Sequence, residues 1–266
     1  MNILKSIELF LLDMDGTIYH ENELIPGTID FFHLLQEQGK KYVFMTNNSS
    51  KGKSHYVEKL KSLGIEANED IIASSVNATI MYLNQHKQGA KIFLIGTESL
   101  KKELIDEGFD IVPINYRGPD VDYVLLGFDT ELNYQKIVGG CYYISRGYNY
   151  IATNCDLRCP IKDNKYIPDC GSIAHLIADS TERMPQFLGK PERVIVDAVS
   201  RKWRVPISKI ATVGDRLYTD IQVGINAGCK TILVLTGEAT EEEIKKTGIY
   251  PNYTFSSIKE LYEALK

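Results

Sequence analysis

The sequence has little that would place the protein in a membrane or on nucleic acid. No stretch reaches the roughly 18 apolar residues that a membrane-spanning helix needs, and the short apolar run Ile7–Leu12 ends in Asp13, unlike a signal peptide. With 30 Lys and Arg against 35 Asp and Glu, the chain has no basic excess for binding nucleic acid or anionic lipid. We therefore expect a cytoplasmic protein that binds neither membrane nor nucleic acid.

Cysteine is also scarce. The five residues are Cys141, Cys155, Cys159, Cys170 and Cys229. Their odd number and the lack of an export signal favour free thiols. Three of them lie near His175 in the sequence, but no pair has the CxxC spacing of zinc sites, so a zinc centre is disfavoured.

The remaining pattern is an alternation of short apolar runs and amphipathic segments along 266 residues. Strands are predicted at Ile7–Leu12, Tyr42–Met45, Ile71–Ile72, Lys91–Ile95, Tyr123–Gly127, Tyr150–Thr153, Ile210–Val213 and Thr231–Leu235. Helices are predicted between Pro26 and Gly39, and at Lys53–Leu63, Val76–Leu83, Ser99–Glu107, Tyr134–Arg146, Gly171–Thr181, Pro191–Val199, Ile221–Ala227 and Ile258–Leu265. Residues 154–172 look irregular. Alternating strands and helices predict an α/β fold with parallel sheets, whose ligands bind beyond the carboxyl ends of the strands.

The clearest motif follows the first predicted strand, where the letters DMDGT occupy Asp13–Thr17. An ordinary turn would use Asp and Gly, but four specified residues in this spacing arise by chance only about once in 10⁵ positions. Carboxylates are also disfavoured in strands and costly to bury alone. A carboxylate can serve as a nucleophile, and paired carboxylates suit Mg²⁺. Asp215 and Asp220 add further oxygen ligands after the strand Ile210–Val213.

A phosphate group would need donors and positive charge near these acids. Thr46 ends the second predicted strand and Asn47 follows it. Lys190 stands at the predicted start of a helix, where the helix dipole favours anions. Residues 47–54 end in Gly52-Lys53-Ser54, as a P-loop nucleotide site does, but Asn47 stands where a P-loop requires its first glycine, so this alternative is disfavoured.

Taken in order, DMDGT, Thr46, Gly189-Lys190-Pro191 and Gly214-Asp215-xxxx-Asp220 resemble the four signature motifs of haloacid-dehalogenase-like (HAD) phosphatases. The strings FMTNNSS, IATNCD and IPDCGS look like the NagD-like branch, subfamily IIA. The resemblance implies a Rossmann-like core with a parallel sheet at residues 1–81 and 185–266. It also implies an inserted α/β cap domain at residues 82–184.

The resemblance also implies roles for the acids. Asp13 would be the nucleophile and a Mg²⁺ ligand. Asp15 would be the general acid and base, and its carbonyl group would be a second ligand. Asp215 would be the third ligand, and Asp220 would hold a metal-bound water or orient Lys190.

For the substrate, the resemblance implies that Thr46, Asn47 and Lys190 bind the phosphoryl group. In the cap, Asp156 and Arg158 are candidate substrate-binding residues. Arg158 would pair with a carboxylate or second phosphate on the leaving group, although a solvent-facing Arg is an equally good interpretation. Many relatives have Pro-Gly-x-Gly where this chain has Pro168–Gly171, so no single relative's substrate can be assumed.

The expected function is Mg²⁺-dependent hydrolysis of small phosphomonoesters through an aspartyl-phosphate on Asp13. Sugar phosphates, nucleotides, phosphoglycolate and p-nitrophenyl phosphate all stay open as substrates. The alternatives are phosphotransfer to a metabolite acceptor and a non-catalytic protein that binds a phosphorylated metabolite. The sequence is equally compatible with a monomer and a homo-oligomer.

Overall fold

The computed structural model describes residues 3–161 and 165–266. The described residues divide into two compact units. The first unit is formed by the described part of residues 1–46 together with residues 54–73 and 190–266. The second is formed by residues 47–53 and the described part of 74–189. The cap boundaries at residues 82 and 184 stay a prediction.

Short strands and helices alternate through the described chain. The strands are β1 (Leu9–Leu12), β2 (Tyr19–His20), β3 (Glu23–Leu24), β4 (Lys41–Thr46), β5 (Ile72–Ser74), β6 (Lys91–Ile95), β7 (Asp110–Ile111), β8 (Tyr123–Leu126), β9 (Asn149–Ala152), β10 (Arg158–Ile161), β11 (Lys165–Pro168), β12 (Gln186–Phe187), β13 (Ile210–Gly214), β14 (Lys230–Val234) and β15 (Tyr253–Phe255). The α-helices are α1 (Thr28–Glu37), α2 (Lys53–Ser62), α3 (Ser75–His86), α4 (Glu98–Asp106), α5 (Tyr134–Ile144), α6 (Cys170–Thr181), α7 (Val194–Trp203), α8 (Gln222–Ala227), α9 (Glu241–Thr247) and α10 (Ile258–Leu265). A π-helical turn at Leu217–Ile221 precedes α8. None of the described helices combines the length and apolar character needed to cross a bilayer.

The first unit contains a six-stranded sheet in the order β15-β14-β13-β1-β4-β5. Its central strand β1 pairs in parallel with β13 on one side and β4 on the other. Every residue of β1 and β13 is buried, because helices cover both faces of such a sheet. Phe10, Phe31 and Phe44 are fully buried in its core, and each such side chain stabilises the fold by about 2–3 kcal/mol relative to an exposed one.

The second unit has its own five-stranded sheet, in the order β12-β9-β8-β6-β7. The pairs β6–β8 and β8–β9 are parallel, so the predicted α/β class with parallel sheets is confirmed. A separate core packs around Phe93 and Tyr143, whose ring centroids lie 5.4 Å apart. The five cysteines are free thiols.

Two local predictions were wrong. The stretch predicted as irregular contains an antiparallel hairpin of β10 and β11; residues 162–164 of that stretch lie outside the described residues. The helix predicted from Pro191 begins instead at Val194, after a turn. A proline disfavours helical backbone in the residue before it, so Lys190 lies in the turn and not at a helix N-terminus.

Candidate active site

Three carboxylates meet at the carboxyl edge of the first unit's sheet. Asp13 follows β1 and Asp215 follows β13, while Asp220 lies in the π-helical turn. Candidate ligand atoms of the three residues lie within 4.8 Å of one another. The parallel pairing of Leu12 with Val213 explains this, since it ends both strands at the same level.

Lys190 lies between two of these acids. Its Nζ donates to Asp13 Oδ1 at 2.5 Å and to Asp220 Oδ1 at 2.6 Å. The side chains of Lys190 and Asp220 are 3% and 0% exposed, and that of Asp13 is 14% exposed. Burial alone would lower the pKa of Lys190, but the two carboxylates outweigh burial and raise it. The lysine is therefore held as a cation, which partly offsets the cost of burying three acids.

The excess negative charge of the cluster is reflected in the pKa values of Asp13 and Asp215. Burial, with repulsion from Asp220, raises the pKa of Asp13 to about 7, although Lys190 opposes the rise. Burial and the charges of Asp13 and Asp220 also raise the pKa of Asp215 well above its ordinary value. One lysine does not neutralise three buried carboxylates, so the cluster favours a further cation.

The surroundings of Asp215 show where such a cation would bind. Its Oδ2 accepts a hydrogen bond from the backbone N–H of Glu238 at 2.8 Å, whereas its buried Oδ1 has no hydrogen-bond partner among the described residues. Gly16 and Gly237 pack so closely that a Cβ on either would meet this carboxylate. A fixed carboxylate with one free oxygen, next to Asp13, fits the all-oxygen ligand set of Mg²⁺.

Asp15 lies in the turn between β1 and β2 and is exposed. Gly16 allows this turn, because its φ of 83° is strained for other residues. Desolvation by the surrounding protein raises the pKa of Asp15, opposed by the positive charges of Lys59, His20 and Arg216. An accessible carboxyl with a raised pKa suits proton transfer.

The other predicted phosphate and substrate residues are placed as follows. Thr46 is the last residue of β4 and is buried in the first unit. Asn47 belongs to the second unit, where its carbonyl accepts hydrogen bonds from Ser75 Oγ at 2.7 Å and Asn154 Nδ2 at 2.5 Å. Its own part in phosphate binding stays a prediction.

Asp156 and Arg158 also lie in the second unit. Asp156 is buried, whereas Arg158 is exposed at the start of β10, with its guanidinium 4.5 Å from the centroid of the Tyr166 ring. This contact stabilises an exposed arginine modestly. Substrate binding by these two residues stays a prediction.

Sequence reasoning missed the loop that follows β14. Thr236 Oγ1 donates to the carbonyl of Gly16 at 2.6 Å, and Glu238 pairs with Arg216 at 3.1 Å. Gly237 lies between them against Asp215. The signal was present, because polar residues and a glycine directly follow an apolar strand here, as they do at Asp13 and Asp215.

Known proteins match both halves of this site. Profiles described as haloacid dehalogenase-like hydrolase and HAD-hydrolase-like match residues 10–110 and 187–261. Acid sugar phosphatase from Staphylococcus saprophyticus is 34% identical over 99% of this chain and 100% of its own. The 5′-nucleotidase YutF from Bacillus subtilis is 33% identical over 97% of this chain and 98% of its own. The solved structure of 4-nitrophenylphosphatase from Thermotoga maritima has a TM-score of 0.93 and 40% identity, over 100% of both chains.

The chain therefore belongs to the haloacid dehalogenase-like hydrolases. Within that family it is a phosphatase of the NagD-like branch, and the structure of NagD from E. coli K-12 matches it with a TM-score of 0.85 over 96% of this chain and 98% of its own. The predicted family, fold class and enzyme class are confirmed.

Proposed function

We propose that this phosphatase hydrolyses small phosphomonoesters with Mg²⁺ through an aspartyl-phosphate on Asp13. The observation that carries the proposal is the cluster of Asp13, Asp215 and Asp220 around Lys190. The cluster combines a nucleophilic carboxylate, candidate metal ligands and a fixed cation at the edge of a parallel sheet. Phosphoryl transfer requires this kind of positioning and charge neutralisation.

Mg²⁺ would be held by the side chains of Asp13 and Asp215 and by the main-chain carbonyl of Asp15. The buried Oδ1 of Asp215, which has no hydrogen-bond partner in the described part of the chain, supports this assignment. Asp220, which bonds Lys190, would act from outside the ligand set. When bound, Mg²⁺ would neutralise negative charge on the phosphoryl oxygens.

In the first step, a carboxylate oxygen of Asp13 attacks phosphorus and the bond from phosphorus to the ester oxygen breaks. Protonated Asp15 gives its proton to the departing alcohol, for which its raised pKa is suited. In the second step, Asp15 takes a proton from the water that attacks phosphorus, and the bond between phosphorus and Asp13 breaks. Phosphate leaves, and Asp15 is again protonated.

In both steps, Lys190 and Thr46 would donate hydrogen bonds to the phosphoryl oxygens, and Asn47 would be a further donor. Lys190 is well suited because the two acids fix its Nζ before substrate arrives. Preorganised charge of this kind supplies much of the stabilisation of a transition state.

The substrate class is a small phosphorylated metabolite. The named relatives are a sugar phosphatase, a nucleotidase and a nitrophenylphosphatase, which favours a broad panel over one assumed substrate. Sugar phosphates, nucleoside monophosphates, phosphoglycolate and p-nitrophenyl phosphate are the first to test. Asp156 and Arg158 are the proposed determinants of the choice.

The test is phosphate release from this panel in Mg²⁺ and in chelator, with Asp13→Asn beside the wild type. We expect turnover that requires Mg²⁺ and falls by about 10³-fold or more in Asp13→Asn, because the amide is a poor nucleophile. Asp106→Asn is the matched control, since Asp106 is exposed on α4. Acid quenching with phosphorus-labelled substrate should trap a hydroxylamine-sensitive acyl phosphate on the wild type.

Turnover that survives Asp13→Asn in a clean preparation would remove Asp13 as the nucleophile. A labelled acyl phosphate that forms but passes its phosphoryl group to an added alcohol faster than to water would favour phosphotransfer.

A further inference from the structure

A cationic groove lies at the opposite edge of the first unit's sheet from the acidic cluster. It has a volume of about 710 Å³ and is lined from the start of β4, the end of α2 with the following loop, and Trp203 at the end of α7. That volume is in the range of small-molecule sites. Asp13 follows the carboxyl end of β1 and Thr46 is the last residue of β4, whereas Lys41 begins β4. Five residue steps of strand separate Lys41 from Thr46 by roughly 16 Å.

The charge of the groove is opposite to that of the protein as a whole. Three lysines, Lys40, Lys41 and Lys61, line it together with a single acid, Glu66, although the chain carries a net charge of −5. In the described chain, neither Lys61 nor Glu66 makes an ion pair. An excess of lysines over acids in a concave site attracts anions.

The lysines are held differently. Lys40 Nζ donates to the carbonyls of Lys5 and Ile7, at 2.9 and 2.5 Å, so it acts as a fixed charge. Lys41 reaches across to Trp203, donating to its carbonyl at 3.3 Å and lying 5.7 Å from the centroid of its ring. Lys61 is exposed at the last turn of α2 and is free to move toward a ligand.

The groove also offers aromatic surface. Trp203 and Tyr42 both line it and are partly exposed. An aromatic face beside a lysine is a surface on which a planar heterocycle can stack while its charged end meets the cation. Ile65 adds an apolar contact. The combination of aromatic surface and several cations suits a ligand with a planar ring and several negative charges.

We propose that this groove binds a nucleoside polyphosphate, with its base against Trp203 and its phosphates near Lys41 and Lys61, at a site separate from the catalytic cluster. A nucleoside polyphosphate joins the two required features in one small molecule. The catalytic cluster has the opposite charge balance, because its Lys190 lies between two carboxylates, Asp13 and Asp220, whereas three lysines and one acid line the groove.

Trp203 makes the test direct, because it is the only tryptophan of the chain. Its fluorescence is titrated with the slowly hydrolysed analogue adenosine 5′-(β,γ-imido)triphosphate in chelator. We expect a saturable change in emission, with weaker binding of adenosine alone. The Asp13→Asn variant should titrate like the wild type, because the catalytic cluster takes no part.

Two variants should change the affinity for the nucleotide analogue in opposite directions. Lys41→Gln with Lys61→Gln should weaken binding by about fivefold to tenfold, since the double variant removes two exposed charge contacts of modest strength. Glu66→Gln should tighten binding by roughly twofold, which a folding defect would not imitate. Lys102→Gln on α4 is the exposed control and should change nothing.

Phosphate release without nucleotide should stay at the wild-type level in the double variant, which verifies its fold. No saturable change in Trp203 emission, or an affinity that the double variant leaves unaltered, would overturn the proposal. Loss of binding in Asp13→Asn would also overturn it, because binding would then depend on the catalytic cluster. None of these outcomes depends on whether the proposed hydrolysis is correct.

Discussion

Gly16 shows how one residue without a side chain fixes the catalytic carboxylates. Its φ of 83° turns the chain after Asp15, and a Cβ at this position would lie 2.7 Å from Asp215 Oδ2. Any larger residue must therefore displace the carboxylate that we propose as a metal ligand. The backbone strain and the displaced carboxylate are separable effects.

The variants Gly16→Ala and Gly228→Ala separate the backbone strain from the displacement of the Asp215 carboxylate. Both glycines have a positive φ, but apart from Gly228 and its two chain neighbours no atom of residues 3–161 or 165–266 lies within 4 Å of the Cβ that would be added at Gly228. We expect both variants to lose about 1 kcal/mol of stability, and only Gly16→Ala to need roughly tenfold more Mg²⁺ for half-maximal phosphate release. Thermal melting and a Mg²⁺ titration of activity measure the two effects. Equal Mg²⁺ requirements would show that Asp215 is not displaced.

The side chain of Lys190 also makes a defined contribution to the free energy of unfolding. Lys190→Met keeps the volume of the side chain but leaves Asp13 and Asp220 buried without their shared cation. Breaking a buried ion pair from one side costs about 3–5 kcal/mol, so urea unfolding in chelator should show a loss of that order.

The matched exposed control is Lys102→Met. Adding Asp220→Asn to Lys190→Met should recover part of the loss, because one uncompensated acid is then removed. If Asp220→Asn lowers the free energy of unfolding by the same amount in the wild type and in Lys190→Met, the two residues are not coupled.

At the scale of elements, the sequence predicted the parts of the site that lie at the ends of long apolar strands. β1 and β13 are fully buried and are followed by Asp13 and Asp215, while Thr46 is the last residue of β4. A parallel sheet must bring such strand ends together. The same rule would have placed residues 236–238 at this edge, but the particular contacts of Asp215 with Gly237 and with the N–H of Glu238 depend on loop geometry that no strand pattern specifies.

Very short elements were also missed. β2, β3, β7 and β12 have two residues each, too few to show a period of two. The helix α9 was predictable in principle, because Thr240 and Glu243 form a capping box at its start. Sequence periodicity thus defines the sheet, whereas loops and pairings depend on contacts distant in the chain.

The loop after β14 carries a prediction of its own. Glu238 donates its N–H to Asp215 while its side chain pairs with Arg216, and both side chains of this pair are mostly buried. Glu238→Ala keeps the N–H but frees the loop and Arg216, so we expect about threefold weaker apparent Mg²⁺ affinity, from a loss near 0.7 kcal/mol. Equilibrium dialysis of Mn²⁺ as a substitute ion would measure this. Glu242→Ala on α9 is the control, and equal affinity in both variants would show that the ion pair does not hold Asp215.

For the molecule as a whole, the clustered acids predict how stability depends on pH and metal. Burial raises the pKa of Asp13 to about 7, and it also raises the pKa values of Asp15 and Asp215 above the ordinary 3.8. The metal-free folded state therefore holds these protons more tightly than the unfolded state. Its stability is greatest below their ordinary pKa and is lost as the pH rises toward the folded values.

In chelator, the contribution of these groups should make the thermal midpoint fall as the pH rises from about 4 to about 7. In Mg²⁺ the fall should be much smaller, because a bound cation stabilises the ionised carboxylates and stabilises the folded state by mass action. Asp215→Asn should flatten the curve in chelator and remove most of the effect of Mg²⁺. Scanning calorimetry across this range, with Asp106→Asn as the control, measures both slopes. Parallel curves with and without Mg²⁺ in the wild type would mean that the acidic cluster does not bind the ion.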